Sequence, residues 1–297
     1  MSTTQSKTNE MAQDAHYLDD LMTRNPVTVD PEANLDSALR LFDRFPFRHL
    51  PVVENEAVIG ILSDRDLQLA TGWIPTKERN HDAWGRTLPA PKNVREIMVT
   101  PVLCANPTES PTQAASTMLK RRIGALPIVD EGLLVGIVTE TDILRAFCDE
   151  VKEGNAPASW NRPVSDHMQS RVVTLNPEME IEEALDRCLN EKVRHLPVVE
   201  EGKLIGMLSD RDIRLGLARS SIADATAQSE GRMEIPKIRV FSVMTQFVIP
   251  IRPDASLHEA AEIMARNKFS ALPVVDDGKP VGMITQTDIL RHFASQS

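Results

Sequence analysis

The sequence predicts an α/β protein in which one small unit of a sheet and helices occurs four times, arranged as a duplicated pair. Each copy has two apolar segments in tandem, the first with a proline, followed by a Ser/Thr-x-x-Asp motif. The prolines are Pro51, Pro127, Pro197 and Pro273. Their spacing is 76 residues within each pair of copies and 146 residues between matching members of the two pairs. A register kept over such distances indicates duplication of a folded unit.

The four copies, called repeats one to four, are of two kinds. Repeats one and three share Arg-His ahead of Leu-Pro, and both carry Ser-Asp-Arg-Asp as the motif. Repeats two and four instead share Ala-Leu-Pro and Thr-x-Thr-Asp-Ile-Leu-Arg. This alternation predicts a module of two unlike repeats that was duplicated whole.

Each repeat has the same predicted order of elements. A short extended segment leads to an amphipathic helix, which in repeat three is predicted from about Ile181 to Glu191. Two strands follow, predicted there at Leu196–Val199 and Leu204–Leu208, and the turn is an acidic residue and Gly in three repeats but Asn55-Glu56 in repeat one. A second helix begins at the motif. The constant proline indicates a strand edge or a strand start, because proline cannot donate to a ladder.

The predicted organisation follows from these boundaries. A single repeat is too small to bury its sheet and both helices, so a partner repeat must supply half of the core. We expect a disordered tail at 1–15, a first module at 16–147 with repeats at 16–72 and 92–147, a linker at 148–163, and a second module at 164–297 with repeats at 164–218 and 238–295.

Composition and charge exclude several classes of protein. The net charge of −10 and the lack of a long basic stretch argue against nucleic acid as a partner. No apolar stretch reaches 18 residues and the N-terminus has no apolar signal region, so neither a membrane span nor a secretory signal is predicted. Three widely spaced cysteines suggest no disulfide framework and favour a reducing cytoplasm. No catalytic or metal-binding motif is recognised, and no obligatory cofactor is expected.

The motif and its context resemble a known family. A Leu-Pro-Val-Val hairpin followed by Gly-apolar-apolar-Ser/Thr-x-x-Asp and a helix is similar to the CBS domain, and the likeness covers nearly all of residues 16–295. The resemblance implies that two repeats form a Bateman module with up to two clefts, and the four-repeat order resembles the γ subunit of AMP-activated protein kinase. It also implies ligands such as AMP, ADP, ATP, S-adenosylmethionine or dinucleotides, with the Asp on the ribose hydroxyls and the Ser/Thr near the ribose or phosphate.

Two interpretations of the motif stay open. The first is a helix cap, because Ser/Thr followed three residues later by an acidic residue is a capping box. The second is a ribose site, since a capping box usually has Glu or Gln at that place and a carboxylate accepts well from two vicinal hydroxyls. The candidate residues are Ser63, Thr139, Ser209 and Thr285 with Asp66, Asp142, Asp212 and Asp288.

Phosphate groups would need cations beyond the acidic motif. Candidates in repeats one and three are Arg48, His49 and Arg65, and Arg194, His195 and Arg211. The matching candidates before the Asp in repeats two and four are Thr141 and Thr287. The histidines also fit a purely structural role. Because the two kinds of repeat offer different charges, the sequence predicts unequal sites.

The leading functional prediction is a cytoplasmic sensor that binds an adenine nucleotide or related adenosine ligand and modulates a protein partner or its own assembly, for example as a homodimer. The alternative is a ligand-free scaffold or dimerisation module in which the four motifs only cap helices. An enzyme, such as a nucleotide hydrolase, is the least supported class, because the repeats use almost the whole chain.

Overall fold

Four antiparallel β-hairpins, one in each repeat, form the framework of the computed structural model. The model describes residues 17–45, 47–70, 91–152, 158–213, 216–217 and 237–294, so the predicted tail at 1–15 lies outside the described residues. The hairpins are His49–Glu54 with Ala57–Ser63, Ala125–Asp130 with Leu133–Thr139, His195–Glu200 with Lys203–Ser209, and Ala271–Asp276 with Lys279–Thr285. All four have the same register, with a bulge after the fourth residue of the first strand.

Along the sequence, each hairpin is preceded by one helix and followed by another. The first helices are Leu35–Arg44, Pro111–Arg121, Ile181–Glu191 and Leu257–Asn267. The second helices are Asp64–Ala70, Glu140–Lys152 and Gln286–Ala294, and in repeat three the described residues 210–213 and 216–217 are helical. Short elements complete the description: helices Leu18–Leu21 and Val240–Val243, 3-10 turns Val94–Glu96, Ala158–Asn161 and Val164–Asp166, and strand Thr23–Arg24.

The helix predicted in repeat three is confirmed at Ile181–Glu191. Its buried residues are Ile181, Ala184, Leu185 and Cys188, which is the helical spacing that the sequence shows. The helix ends at Lys192 in the left-handed conformation, where its N–H bonds back to the last turn. The apolar stripe therefore determined both the element and the face that it buries.

The predicted hairpin turns are also confirmed, and the turn of repeat one is the most strained of the four. Both turn residues have positive φ in every repeat, as a two-residue turn of the I′ type requires. Gly132, Gly202 and Gly278 take the second position in three repeats, with φ between 78° and 87°. Repeat one has Glu56 there at a φ of 68°, which a side chain with a Cβ adopts at a cost.

Within each pair, the repeats exchange their N-terminal segments. Thr23 of repeat one pairs with Ile137 of repeat two, while Val99 of repeat two pairs with Ile61 of repeat one. Repeats three and four do the same through Gln169 with Met283 and Thr245 with Met207. The exchange ties repeat one to two and repeat three to four.

A methionine on each exchanged segment packs against a glycine of the partner repeat. A Cβ on Gly60, Gly136, Gly206 or Gly282 would collide with Met98, Met22, Met244 or Met168, respectively. The methionine and glycine that recur in every repeat are thus two halves of one contact, which explains why both types of residue are needed at those positions.

The constant proline lies on an edge strand, as the sequence predicts, although it is not at the start of that strand. Pro51 is the third residue of its strand and lies opposite Ile61. Its carbonyl accepts from the N–H of Val29, which forms a short parallel bridge beside the hairpin. The missing N–H is tolerated because that bridge is only two bonds wide and uses the carbonyl of Pro51 and the N–H of Val53.

Three apolar cores are formed by the residues that the structure describes. Repeat one has its own core around Leu50, and repeat three has its own around Leu196. Repeats two and four share the third core, in which the helices of one module pack on the helices of the other. Trp160, just before the second module, is buried in this shared core with its ring centroid 3.8 Å from that of Phe293.

Candidate functional site

All four motif aspartates are fixed by their own Ser or Thr. The hydroxyl oxygen lies 2.5 to 2.6 Å from Oδ2 of the Asp three residues later, and the backbone N–H of the Ser or Thr donates to the same oxygen. The Asp N–H donates back to the hydroxyl in repeats one, three and four. The motif is therefore a helix cap in every repeat, and the cap uses one carboxylate oxygen.

The second oxygen, Oδ1, separates the two kinds of repeat. In repeat four, Arg291 Nη1 lies 3.1 Å from Asp288 Oδ1, and in repeat two Arg145 Nη1 lies 4.0 Å from Asp142 Oδ1. Repeats one and three have leucine at the matching position of the sequence, and no described residue hydrogen-bonds to Oδ1 of Asp66 or Asp212. The carboxylates of repeats one and three therefore present an oxygen that can accept from a ligand.

A cleft opens beside the motif of repeat two. Its volume is about 480 Å³, and it is lined by Asp142 and Arg145 together with Asp20, Leu21 and Asp149. Its lining is mostly charged, and Leu21 supplies apolar surface. Asp20 and Leu21 belong to repeat one, so this cleft lies between the two repeats of a pair.

The Arg-His pairs of repeats one and three lie near one junction of the two modules. His49 lies beside repeat two, since a Cβ on Gly124 would be 3.5 Å from the His49 ring. His195 Nε2 is 2.9 Å from the Ser270 hydroxyl of repeat four. Each histidine is also close enough to the arginine of the other module for that charge to lower its pKa. Arg194 lowers the pKa of His49, and Arg48 lowers the pKa of His195.

Both junction histidines are neutral at pH 7. Burial lowers the pKa of His49 to about 4, and Arg48 and Arg194 add to the effect while Asp66 opposes it. Burial likewise lowers the pKa of His195 to about 4, with Asp210 opposing and the two arginines adding. Among the side chains predicted to bind phosphate in repeats one and three, the arginines therefore carry the positive charge at pH 7. The histidines can act as neutral hydrogen-bonding groups.

Thr141 and Thr287 lie where repeat two meets repeat four. Thr141 exchanges hydrogen bonds with the Gln286 side chain, at 3.0 and 3.4 Å, and Gln286 also donates to the carbonyl of Phe269. Thr287 donates to Glu140 Oε1 at 3.0 Å. The two threonines form a reciprocal contact between modules, which their sequence positions alone do not reveal.

The remaining arginines differ in exposure. Arg65 and Arg194 are exposed, whereas Arg48 and Arg211 are half-buried. Burial and the charge of Asp210 raise the pKa of the Cys188 thiol in repeat three to about 11. The charge of Arg65 in repeat one opposes this change, so Arg65 lies close to Cys188. Repeats one and three are therefore close neighbours across the module boundary.

Glu140 and Gln286 are the central residues that the sequence analysis did not select. They follow the Ser/Thr directly, where repeats one and three have Asp64 and Asp210. The signal available in the sequence was the variation at this position among Asp, Glu, Asp and Gln, next to a motif that is otherwise constant.

The described parts of the chain contain neither a cluster of metal ligands nor a helix suited to cross a membrane. Over those residues, no group of three or more His, Cys, Asp or Glu side chains is placed to hold a metal ion. No described helix combines the length and apolar character that crossing a bilayer requires.

The family model described as "CBS domain" matches residues 18–70, 94–149, 164–219 and 240–295. The chain belongs to the CBS domain family, and its four repeats have the architecture of paired CBS domains. Its order of repeats matches the resemblance to the γ subunit of AMP-activated protein kinase noted from the sequence.

Several known proteins are similar to this chain. The uncharacterized protein MJ1225 of Methanocaldococcus jannaschii is 31% identical over 274 residues, which span 90% of this chain and 95% of that protein. Its crystal structure, described as a proposed archaeal homolog of γ-AMPK, has a TM-score of 0.72 at 28% identity and covers 94% of this chain and 100% of that one.

Two further structures are similar in whole or in part. An uncharacterized conserved protein from Pyrococcus horikoshii has a TM-score of 0.61 at 24% identity, covers 93% and 99% of the two chains, and shows the fold alone. The CBS domain pair of protein MJ0100, solved in complex with 5′-methylthioadenosine and S-adenosyl-L-methionine, is 29% identical and covers 46% of this chain and 98% of its own, with a TM-score of 0.37.

Proposed function

We propose that the chain is a regulatory protein that binds adenosine-containing ligands in clefts between its paired repeats. The observation that carries the proposal is the geometry of the motif aspartates. Each carboxylate is held in one orientation through Oδ2, and in repeats one and three Oδ1 has no described hydrogen-bond partner. A fixed carboxylate with an available oxygen is suited to a ribose diol, and such charge-assisted bonds contribute about 1.5–3 kcal/mol each.

Apolar surface for an adenine ring lies in the extended segments that precede the first helices. Val27, Leu103 and Ile249 occupy the same position in repeats one, two and four, and they are 38%, 40% and 40% exposed. Each lies two residues before a residue that bridges to its own hairpin, namely Val29, Ala105 and Ile251. An adenine ring placed over these side chains would remove apolar surface from water.

Phosphates would then point to the junction of the modules, toward Arg48 and Arg194. These arginines lie near both neutral histidines, which can donate one hydrogen bond each. A ligand that reaches this junction contacts groups from both modules. Its binding energy would therefore favour one packing of the modules over another and alter a partner interface or the assembly of the protein.

A ligand-free scaffold remains the second candidate, because the four motifs are fully explained as caps and Arg291 already occupies Asp288. Thermal unfolding with AMP, ADP, ATP, S-adenosylmethionine and 5′-methylthioadenosine distinguishes the two. A ligand at about 100 times its dissociation constant stabilises the fold by about 2.7 kcal/mol. No shift with any of them at millimolar concentration would favour the scaffold, and product formed from ATP would favour an enzyme.

A further inference from the structure

The residue after the Ser/Thr of the motif has the same backbone position in all four repeats. Its N–H donates to the carbonyl of the residue just before the first strand: Asp64 to Arg48, Glu140 to Gly124, Asp210 to Arg194, and Gln286 to Ser270, at 3.0 to 3.2 Å. Repeats one, two and three thus bring a carboxylate to this position, and repeat four brings an uncharged amide.

Glu140 lies close to residues of several repeats. Its Oε1 accepts the hydroxyl of Thr287 from repeat four at 3.0 Å. A Cβ on Gly124 would lie 3.8 Å from Oε2 of Glu140 and 3.5 Å from the His49 ring of repeat one. Both side chains therefore approach Gly124 from the same side. Glu140 therefore lies between repeats one, two and four.

The charge of Glu140 lies among the groups that would receive a phosphate. The positive charges of Arg48 and Arg194 lower the pKa of Glu140, and the negative charge of Asp288 raises it. Burial also raises the pKa of Glu140, whereas the Thr287 hydrogen bond and the arginines oppose that change. A phosphate that approaches the arginines would thus meet a half-buried carboxylate, and like charges repel more strongly at a partly buried site than in open water.

We propose that Glu140 determines ligand charge at the junction: it selects adenosine ligands with at most one phosphate and disfavours nucleoside di- and triphosphates. The proposal rests on the proposed function, since it specifies the ligand class of the same site. Adenosine, its thioethers and sulfonium derivatives, and the monophosphate meet little or no repulsion. Each further phosphate adds negative charge next to Glu140.

The chain supplies its own matched variants for a test. Glu140→Gln installs the residue of repeat four, and Gln286→Glu installs the residue of repeat two at the pseudosymmetric position. Asp36→Asn serves as the control, because it removes one exposed carboxylate from repeat one and changes the net charge as Glu140→Gln does. Calorimetric titrations with adenosine, AMP and ATP at constant ionic strength, without divalent cations, give the ratio of the ATP to the AMP dissociation constant.

The expected wild-type ratio is above one, and Glu140→Gln lowers it by about ten-fold. Gln286→Glu raises the ratio, and this second variant keeps the test decisive if Glu140→Gln does not fold. A ratio unchanged by both variants, a shift as large in Asp36→Asn, or wild-type binding of ATP more tightly than AMP would overturn the inference while the proposed function stands. Failure of all three ligands, and of S-adenosylmethionine and 5′-methylthioadenosine, to bind any of these proteins would overturn the proposed function itself.

Discussion

Repeats one and three each have a core of their own, whereas repeats two and four share one across the module boundary. The first helices explain the difference. Ala115 and Ala261 of repeats two and four align with Leu39 and Leu185 of repeats one and three. The two alanines are fully buried and allow helices from different modules to approach closely. One repeat unit thus serves two purposes, joining the modules in one half of the protein and presenting charged groups in the other.

Removal of an aromatic ring from the shared core should have the largest effect. Phe293 packs on Phe147 and Trp160, with centroid distances of 4.7 and 3.8 Å. Phe293→Ala should cost about 3–5 kcal/mol of unfolding free energy, because it leaves a cavity in a dense core. Hydrogen exchange should show lost protection in the hairpins of both repeats two and four.

Phe42→Ala provides the contrast, since Phe42 lies in the separate core of repeat one. Its loss of protection should be confined to repeat one. If Phe293→Ala weakens protection in repeat four alone, the shared core is not a cooperative unit and the comparison fails.

Acid should destabilise repeats one and three selectively. The pKa values of His49 and His195 are about 4 in the folded protein against an ordinary 6.5, so the unfolded chain binds more protons between these values. Stability is therefore fully present above pH 6.5 and declines as pH falls toward 4, by on the order of 2 kcal/mol for each histidine. Urea unfolding at several pH values measures this slope.

His49→Gln with His195→Gln is the matching variant, because it removes both titrating groups. The slope between pH 6.5 and 4 should flatten in this variant. Repeats two and four have Ala125 and Ala271 at these positions, and the raised pKa of Glu140 in repeat two acts in the opposite direction, because it stabilises the fold as pH falls. A slope that is unchanged by the double substitution would show that the histidines are not held neutral.

Ligand binding should depend more on the aspartates of repeats one and three than on the others. Asp66→Asn with Asp212→Asn keeps a side-chain acceptor for the cap but removes the charge, and should weaken adenosine-ligand affinity by about ten-fold. The same changes at Asp142 and Asp288 should have a smaller effect, because Arg145 and Arg291 compete for those carboxylates. Calorimetry on the two double variants compares them, and a larger loss in the second would reverse the assignment.

The smallest expected effect concerns the hairpin turns. Glu56→Gly places in repeat one the residue that the other three repeats have at this positive φ, and should stabilise the protein by about 1 kcal/mol. Gly202→Ala in repeat three should destabilise by a similar amount. Equal unfolding midpoints in denaturant for both variants and the wild type would indicate that these turns are not strained.

The sequence was sufficient for the elements that depend on local pattern. The helix at Ile181–Glu191 follows from its apolar stripe, the turns follow from Gly202 and its equivalents, and the caps follow from the motif. The exchange of segments was not predicted, although the recurring methionines and glycines carried its signal. That signal becomes legible only when Met22 is seen on Gly136 of the partner repeat.

The candidate site was predicted in its residue types but not in its environment. Burial turned His49 from a candidate cation into a neutral group, and the packing of the modules placed Thr141 in a contact with Gln286. Both outcomes depend on which repeats face each other, and a linear pattern does not encode that. Their roles in ligand binding remain predictions.

The most direct test of the central claim is a calorimetric titration of AMP into the wild-type protein and into the Asp66→Asn, Asp212→Asn variant. The account predicts saturable binding to the wild type and affinity about ten-fold weaker in the variant, with the fold intact by circular dichroism. Absence of binding to the wild type, or equal affinity in both proteins, would contradict it.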